Sequence, residues 1–269
     1  MCSWGGRISL GAATAPDPEN QDVGIAFGYV RKAFGEVVAL DGITFEVARH
    51  SRIGIVGPSG GGKSTLLQLT AGLLGPTSGV VSVEGETTEK GRLARCAMMP
   101  QRDLLLPWRS ALDNAVIALE NHGMSRRDAR TKTKPFFERF GLAQFEDVRP
   151  AQLSGGMRQR VSFLRTLMAE KDVLLLDEPF GALDSITRGQ MQEWLLGALG
   201  DVPRTVLLVT HDVEEALLLS RTVVVMSARP GRVVTVLDST LPTEGLSRRE
   251  IITSPEFVAL KEAALEAIE

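Results

Sequence analysis

Two hydrophobic periods take turns along this chain. Residues 24–30 and 38–47 alternate apolar with polar, as half-buried strands do, and are expected to pair antiparallel. Further on, the alternation gives way to short unbroken apolar runs at 53–56, 97–99, 173–176 and 206–209, the pattern of strands covered on both faces. Residues 80–83, after the Gly75-Pro76-Thr77-Ser78-Gly79 turn signal, and residues 222–226 and 233–237 supply further strands. Between them the period lengthens to that of helices, at 66–73, 110–119, 125–140 and 255–268. Ser125 with Asp128 is a capping-box-like helix start, with Asp in place of Glu or Gln. Another helix is expected to begin near Ser154, with Val161, Leu164, Leu167 and Met168 on one face, and another to run through Met191, Trp194, Leu195 and Ala198.

This order predicts an α/β core with a strand-free helical block, at about 102–168, inserted into it. Residues 1–22, rich in glycine, alanine, proline and acids without period, read as a disordered leader; 23–240 form the core domain and 241–269 a C-terminal helical extension.

The strand-to-helix junction after residue 56 carries the strongest chemistry. Gly57-Pro58-Ser59-Gly60-Gly61-Gly62-Lys63-Ser64-Thr65 fits G-x-x-x-x-G-K-[ST], the phosphate-binding loop. Its glycines let successive N–H groups turn inward around a phosphate chain, and the helix beginning near Lys63 aims its positive end at the same anion. Lys63 is expected to reach the β- and γ-phosphates, Ser64 to bind Mg²⁺ and Thr65 to contact the α-phosphate. Asp177 and Glu178 close the buried run 173–176, where open α/β sheets hold ligands. Asp177 is placed for Mg²⁺ and Glu178 to polarise an attacking water. His211 follows the run 206–209 and points at the same edge. Ser154, Gly155 and Gly156 make either a second anion site or an ordinary serine cap. Phe34 is either an adenine-stacking aromatic or a core or turn residue.

Composition narrows the partners. The chain is 43% hydrophobic and 23% charged, with a formal net charge of -3 and no long basic run, which disfavours nucleic acid. Two cysteines, Cys2 and Cys96, make no disulfide framework and suit a reducing cytosol. No apolar run approaches the roughly 18 residues a bilayer crossing needs, and the N-terminus lacks a basic-then-apolar signal pattern. The chain is therefore expected neither to span a membrane nor to be exported by itself.

Taken in order, the phosphate loop, Gln101, Leu153-Ser154-Gly155-Gly156-Met157, Leu176-Asp177-Glu178, Leu183-Asp184 and His211 resemble the ATP-binding subunit of an ABC transporter, over roughly residues 24–240. The Gln101 to Trp108 segment, with Leu105-Leu106-Pro107-Trp108, is similar to the nitrate/sulfonate/taurine branch of importers. The resemblance implies a P-loop NTPase with a mixed central sheet, an N-terminal antiparallel β subdomain and an inserted α-helical subdomain. It implies ATP and Mg²⁺, with Phe34 on adenine, Gln101 sensing Mg²⁺ and the attacking water, Asp184 in the D-loop and His211 as the switch histidine. Ser154, Gly155 and Gly156 then belong to the signature that reaches the ATP held by a second copy, in a head-to-tail homodimer. The implied partners are integral membrane permease subunits and, indirectly, a solute-binding protein, at the cytoplasmic face of the inner membrane. An exporter or lipid-trafficking ATPase, or a non-transport ATPase clamp, is the alternative. His50 departs from the family, which has glycine there.

Overall fold

The computed structural model describes residues 22–181, 183, 185–200, 203–239, 241 and 246–269. Residues 1–21 of the leader expected over 1–22, and Ala182 and Asp184, lie outside the described residues. In chain order the elements are β1 (Val23–Phe34), β2 (Val37–Ala48), β3 (Arg52–Val56), α1 (Lys63–Thr70), β4 (Ser78–Val83), α2 (Glu89–Arg95) and β5 (Cys96–Met99). The helical block follows with α3 (Ala111–Ala115), α4 (Ile117–Asn121), α5 (Arg126–Arg139) and α6 (Gly155–Leu167). The chain then runs β6 (Val173–Asp177), α7 (Ser185–Gly200), β7 (Thr205–Val209), α8 (Val213–Leu219), β8 (Thr222–Met226), β9 (Val233–Asp238), α9 (Arg248–Ile252) and α10 (Pro255–Ile268).

The alternating strands form a small antiparallel sheet, ordered β2-β1-β4. Phe27 and Phe45 face each other across it with ring centroids 4.7 Å apart. The apolar runs form the large sheet, ordered β5-β6-β7-β3-β8-β9, parallel except where β9 turns back on β8. The fold is therefore the expected α/β one, with a mixed central sheet.

Period-two alternation distributes the large sheet's side chains between its faces. Val173, Leu175, Leu207 and Val209 join the small sheet and α1 in one core. Leu174, Leu176, Val206 and Leu208 point the other way, into the core of the helical block with Leu112, Phe137 and Phe163. The inserted helices thus cover one face of the sheet. On the same face, farther along the sheet, α8 and α10 cover Val223 and Val225. A side chain on Gly54 of β3 would stand 2.9 Å from Ala216 Cβ, so α8 lies directly on the strand.

Several expected boundaries shift. The helix predicted over 66–73 ends at Thr70, and Gly72 turns the chain with φ +73. The helix predicted over 110–119 breaks into α3 and α4 at Val116, where two β-branched residues, Val116 and Ile117, adjoin. No apolar period announces α2. Its buried residue is Arg92, whose guanidinium donates to the carbonyls of Leu69, Val81 and Leu74. The turn at His50 has φ +61, a backbone region that favours glycine, and its N–H donates to Thr205 Oγ1 at 2.9 Å.

Candidate active site

Strand β3 delivers the chain to a loop that only glycine can follow. At Gly57 a Cβ would sit 2.4 Å from the Met226 carbonyl oxygen. Gly62, with φ +84, is the N-cap of α1 and offers no side-chain acceptor. Helices α2, α3, α5, α6, α8, α9 and α10 are each capped by a Ser, Thr or Asp side chain. The first N–H groups of α1 are thus left without a side-chain cap, at the positive end of the helix. Lys63 is 6% exposed, and its Nζ donates to the carbonyls of Gly57 (2.7 Å) and Pro58 (2.9 Å). Burial lowers its pKa, against the opposing pull of Glu178 and Asp177.

In front of α1 lies a cavity of about 410 Å³. Its wall includes Phe34, Val37, Ser59, Gly60, Gly62, Lys63, Ser64, Thr65, Gln101, Glu178 and Arg229. Phe34 is 48% exposed at this wall, with Lys32 Nζ 5.1 Å from its ring centroid. It is not a core residue.

The sheet order explains how the acids arrive. Asp177 continues the Val173–Leu175 phase and so faces α1, where Ser64 Oγ donates to its Oδ1 at 3.2 Å. Burial raises the Asp177 pKa; the Ser64 hydrogen bond lowers it, Glu178 raises it and Lys63 lowers it. Strands β5, β6 and β7 are consecutive neighbours, so the residues just past their ends converge. Gln101 Nε2 donates to Glu178 Oε2 at 2.9 Å, and His211 Nδ1 lies 3.3 Å from Glu178 Oε1. Both oxygens of one carboxylate are thereby engaged from either side. Glu178 itself has φ +46, a strained conformation for a residue with a side chain, and its N–H donates to the Val209 carbonyl at 2.8 Å.

Behind His211 lies a charged group that the sequence reading does not find. Asp212 caps α8, accepting from Glu215 N, and pairs with Arg188 at 3.2 Å. Glu215 is 3% exposed, and its Oε1 has no hydrogen-bond partner. Burial pushes its pKa to about 8; Asp212 and Glu178 add to the rise, while Arg188 and Thr210 oppose it. Arg229 is the other residue the reading misses. It reaches the cavity from the turn between β8 and β9.

The signature stretch is organised differently. Ser154 Oγ accepts from Met157 N at 3.2 Å, so the serine does cap α6. Ser154 and Gly155 are exposed and do not line the cavity. Gly156 packs against Thr187 and Leu183. Two side chains tie α6 to the site: Arg158 donates to Asp103 (3.0 Å), two residues past Gln101, and Gln159 donates to the Pro179 carbonyl (2.8 Å).

Residues 40–181 match the family model described as ABC transporter. The chain belongs to the ABC transporter family. It is 41% identical over 233 residues to the taurine import ATP-binding protein TauB of Rhizobium johnstonii, covering 85% of this chain and 88% of that one. It is likewise 41% identical to TauB of Yersinia pestis, covering 84% and 90%. Among solved structures it resembles the dimeric ATP-binding cassette MJ0796 bound to ADP and Pi, with a TM-score of 0.72 and 27% identity over 80% of this chain and 98% of that one. This ABC cassette is thus an ATP hydrolase, the ATPase subunit of a transporter. Among its described residues no helix is long and apolar enough to cross a membrane.

The donors near α1 suit a hard divalent cation. They are a hydroxyl and a carboxylate, Ser64 and Asp177, 3.2 Å apart. Among the described residues no group of three or more His, Cys, Asp or Glu could hold a metal. An ion here must complete its shell from water and phosphate, as Mg²⁺ ordinarily does.

Proposed function

We propose that this cassette powers uptake of a small solute of the sulfonate, nitrate or taurine kind through separate membrane subunits. The sandwich of ATP between two copies is its engine. One observation carries the reading: the chain holds two glycine-rich helix tips, of which only the α1 tip lines the cavity. The α6 tip, exposed and outside that wall, is available to a second copy. The taurine import names of the relatives support the solute class and direction.

In this reading Phe34 stacks on adenine, residues 57–65 cradle the triphosphate, and Lys63 leaves the Gly57 and Pro58 carbonyls for the β- and γ-phosphates. Ser64 and Asp177, with Gln101 nearby, would hold Mg²⁺, which supplies charge neutralisation at those phosphates. Glu178 takes the proton from the attacking water, and Gln101 and His211 orient it. Ser154, Gly155 and Gly156 of the partner copy close over the γ-phosphate, with Asp184 beside them. ATP thus favours the closed dimer by binding it better than the open one. Phosphate release removes that preference. Leu104 (54% exposed) and Trp108 (69%) lie on the segment that begins at Gln101, and there we place the permease contact. A solute-binding protein would act through the permease.

The test is Glu178→Gln. It should lower kcat by about 10²–10⁴-fold, keep ATP affinity within about twofold, and yield an ATP-dependent dimer by light scattering. Wild-type turnover, or a monomer in saturating ATP, would overturn the reading.

A further inference from the structure

The turn at residues 227–232 is built as a wall of the nucleotide cavity, although it lies far from the phosphate loop in sequence. Two backbone hydrogen bonds pin it to β2: Gly231 N donates to the Ala39 carbonyl at 2.9 Å, and Asp41 N to the Gly231 carbonyl at 3.0 Å. The turn also touches the phosphate loop backbone to backbone. A Cβ on Gly231 would stand 2.1 Å from the Gly61 carbonyl oxygen, and one on Gly61 would stand 2.6 Å from the Ser227 carbonyl oxygen. Ser227 Oγ closes the turn from within, accepting from Arg232 N at 3.0 Å, and Arg232 pairs with Asp41.

Arg229 sits at the tip of this braced turn. Its Nη2 comes within 3.7 Å of where a Gly60 Cβ would be, and it lines the same cavity as Lys63. Among the described residues it makes no hydrogen bond or ion pair, whereas Arg31 and Arg232 both pair with Asp41. A guanidinium is a fixed fork of donors suited to phosphate oxygens. Leaving one unpaired beside a loop shaped for phosphate places a second cation where the first, Lys63, meets the ligand.

We propose that Arg229 is a nucleotide-binding residue that contacts the phosphate chain of ATP. This rests on reading the cavity as the ATP site. The anchored turn fixes the backbone of Arg229 beside the phosphate loop, so its guanidinium is within reach of that loop before ATP arrives.

Calorimetric titration of the full chain tests it, with ATP and with inorganic tripolyphosphate as probes. Arg229→Ala and Arg229→Gln should each weaken both probes by about tenfold, the loss expected for a charge-assisted contact to phosphate. The Arg229→Lys variant keeps the charge but loses the fork, so it should weaken both probes by less than the Ala and Gln variants do. Unchanged ATP affinity in the Ala and Gln variants would overturn the assignment while leaving the ATP site standing. Weakened ATP with unchanged tripolyphosphate would overturn the phosphate contact in favour of base or ribose. A wild-type chain that binds no ATP would remove the underlying reading as well.

Discussion

The two glycine-rich helix tips differ in what they lack. At α1 the N-cap is Gly62, no side chain satisfies the first turn, and the preceding loop is wedged against Met226, Ser227 and Gly231. At α6 the N-cap is Ser154, the first turn is satisfied from within the chain, and the tip is exposed. The first N–H groups of α1 open onto the cavity without a side-chain partner, so the α1 tip is a socket whose own chain leaves it unfinished. The α6 tip is finished and stable alone. The Ser154 hydroxyl can accept from Met157 and still donate its proton elsewhere. One tip therefore needs a ligand and the other can only add to one.

The sharpest way to break this contrast is at the socket. Lys63→Ala should weaken ATP binding by about 100-fold or more, since it removes the buried charge-assisted donor. Near wild-type affinity by titration would mean that the loop does not need its cation. The corresponding change at the other tip, Ser154→Ala, should leave monomer affinity for ATP unchanged. It should lower steady-state ATPase by about tenfold and cost about 1 kcal/mol in urea unfolding through the lost cap. If it weakens ATP binding by the monomer, the tips are not separate.

Two smaller effects ask whether the frame under α1 can change without disturbing α6. Glu215 holds its proton up to about pH 8 in the folded chain, above its ordinary 4.5. Its stabilising share is thus complete below about pH 4.5 and is lost as pH rises through about 8. Glu215→Gln keeps the neutral form, so its urea stability should gain at least about 1 kcal/mol on wild type between pH 5 and pH 8.5. A constant difference across that range would mean that the carboxyl titrates normally. His50→Gly, in the turn before β3, should add about 0.5 kcal/mol by relieving the left-handed backbone, net of the flexibility glycine brings to the unfolded chain. A lowered melting midpoint would show that the histidine side chain matters more than its backbone.

Much of the frame was legible because its signals are local. The switch from period two to unbroken apolar runs separates the small sheet from the large one, and the phosphate loop spells its own chemistry. What was not legible depends on distant partners. Arg92 buries α2 with a charged side chain, so no apolar stripe marks that helix. Glu215 stands three residues after Asp212, as the acid of an ordinary surface capping box would, and only the packing of α8 on β3 buries it. Arg229 comes to the cavity through the contact of Gly231 with Gly61, which no window of sequence contains. Strand-end positions predicted that Glu178 and His211 share an edge. The order β5-β6-β7, which lets Gln101 and His211 hold opposite oxygens of one carboxylate, needed the folded sheet.

That grip has a bearing on economy. With Gln101 donating to one oxygen and His211 beside the other, part of the acceptor capacity of Glu178 is taken before a water molecule arrives. An idle subunit held this way would waste little fuel. Gln101 also opens the stretch that runs to Trp108, so a tug arriving from outside along that stretch would loosen one finger of the grip. The throttle and the drive shaft would then be one piece of chain.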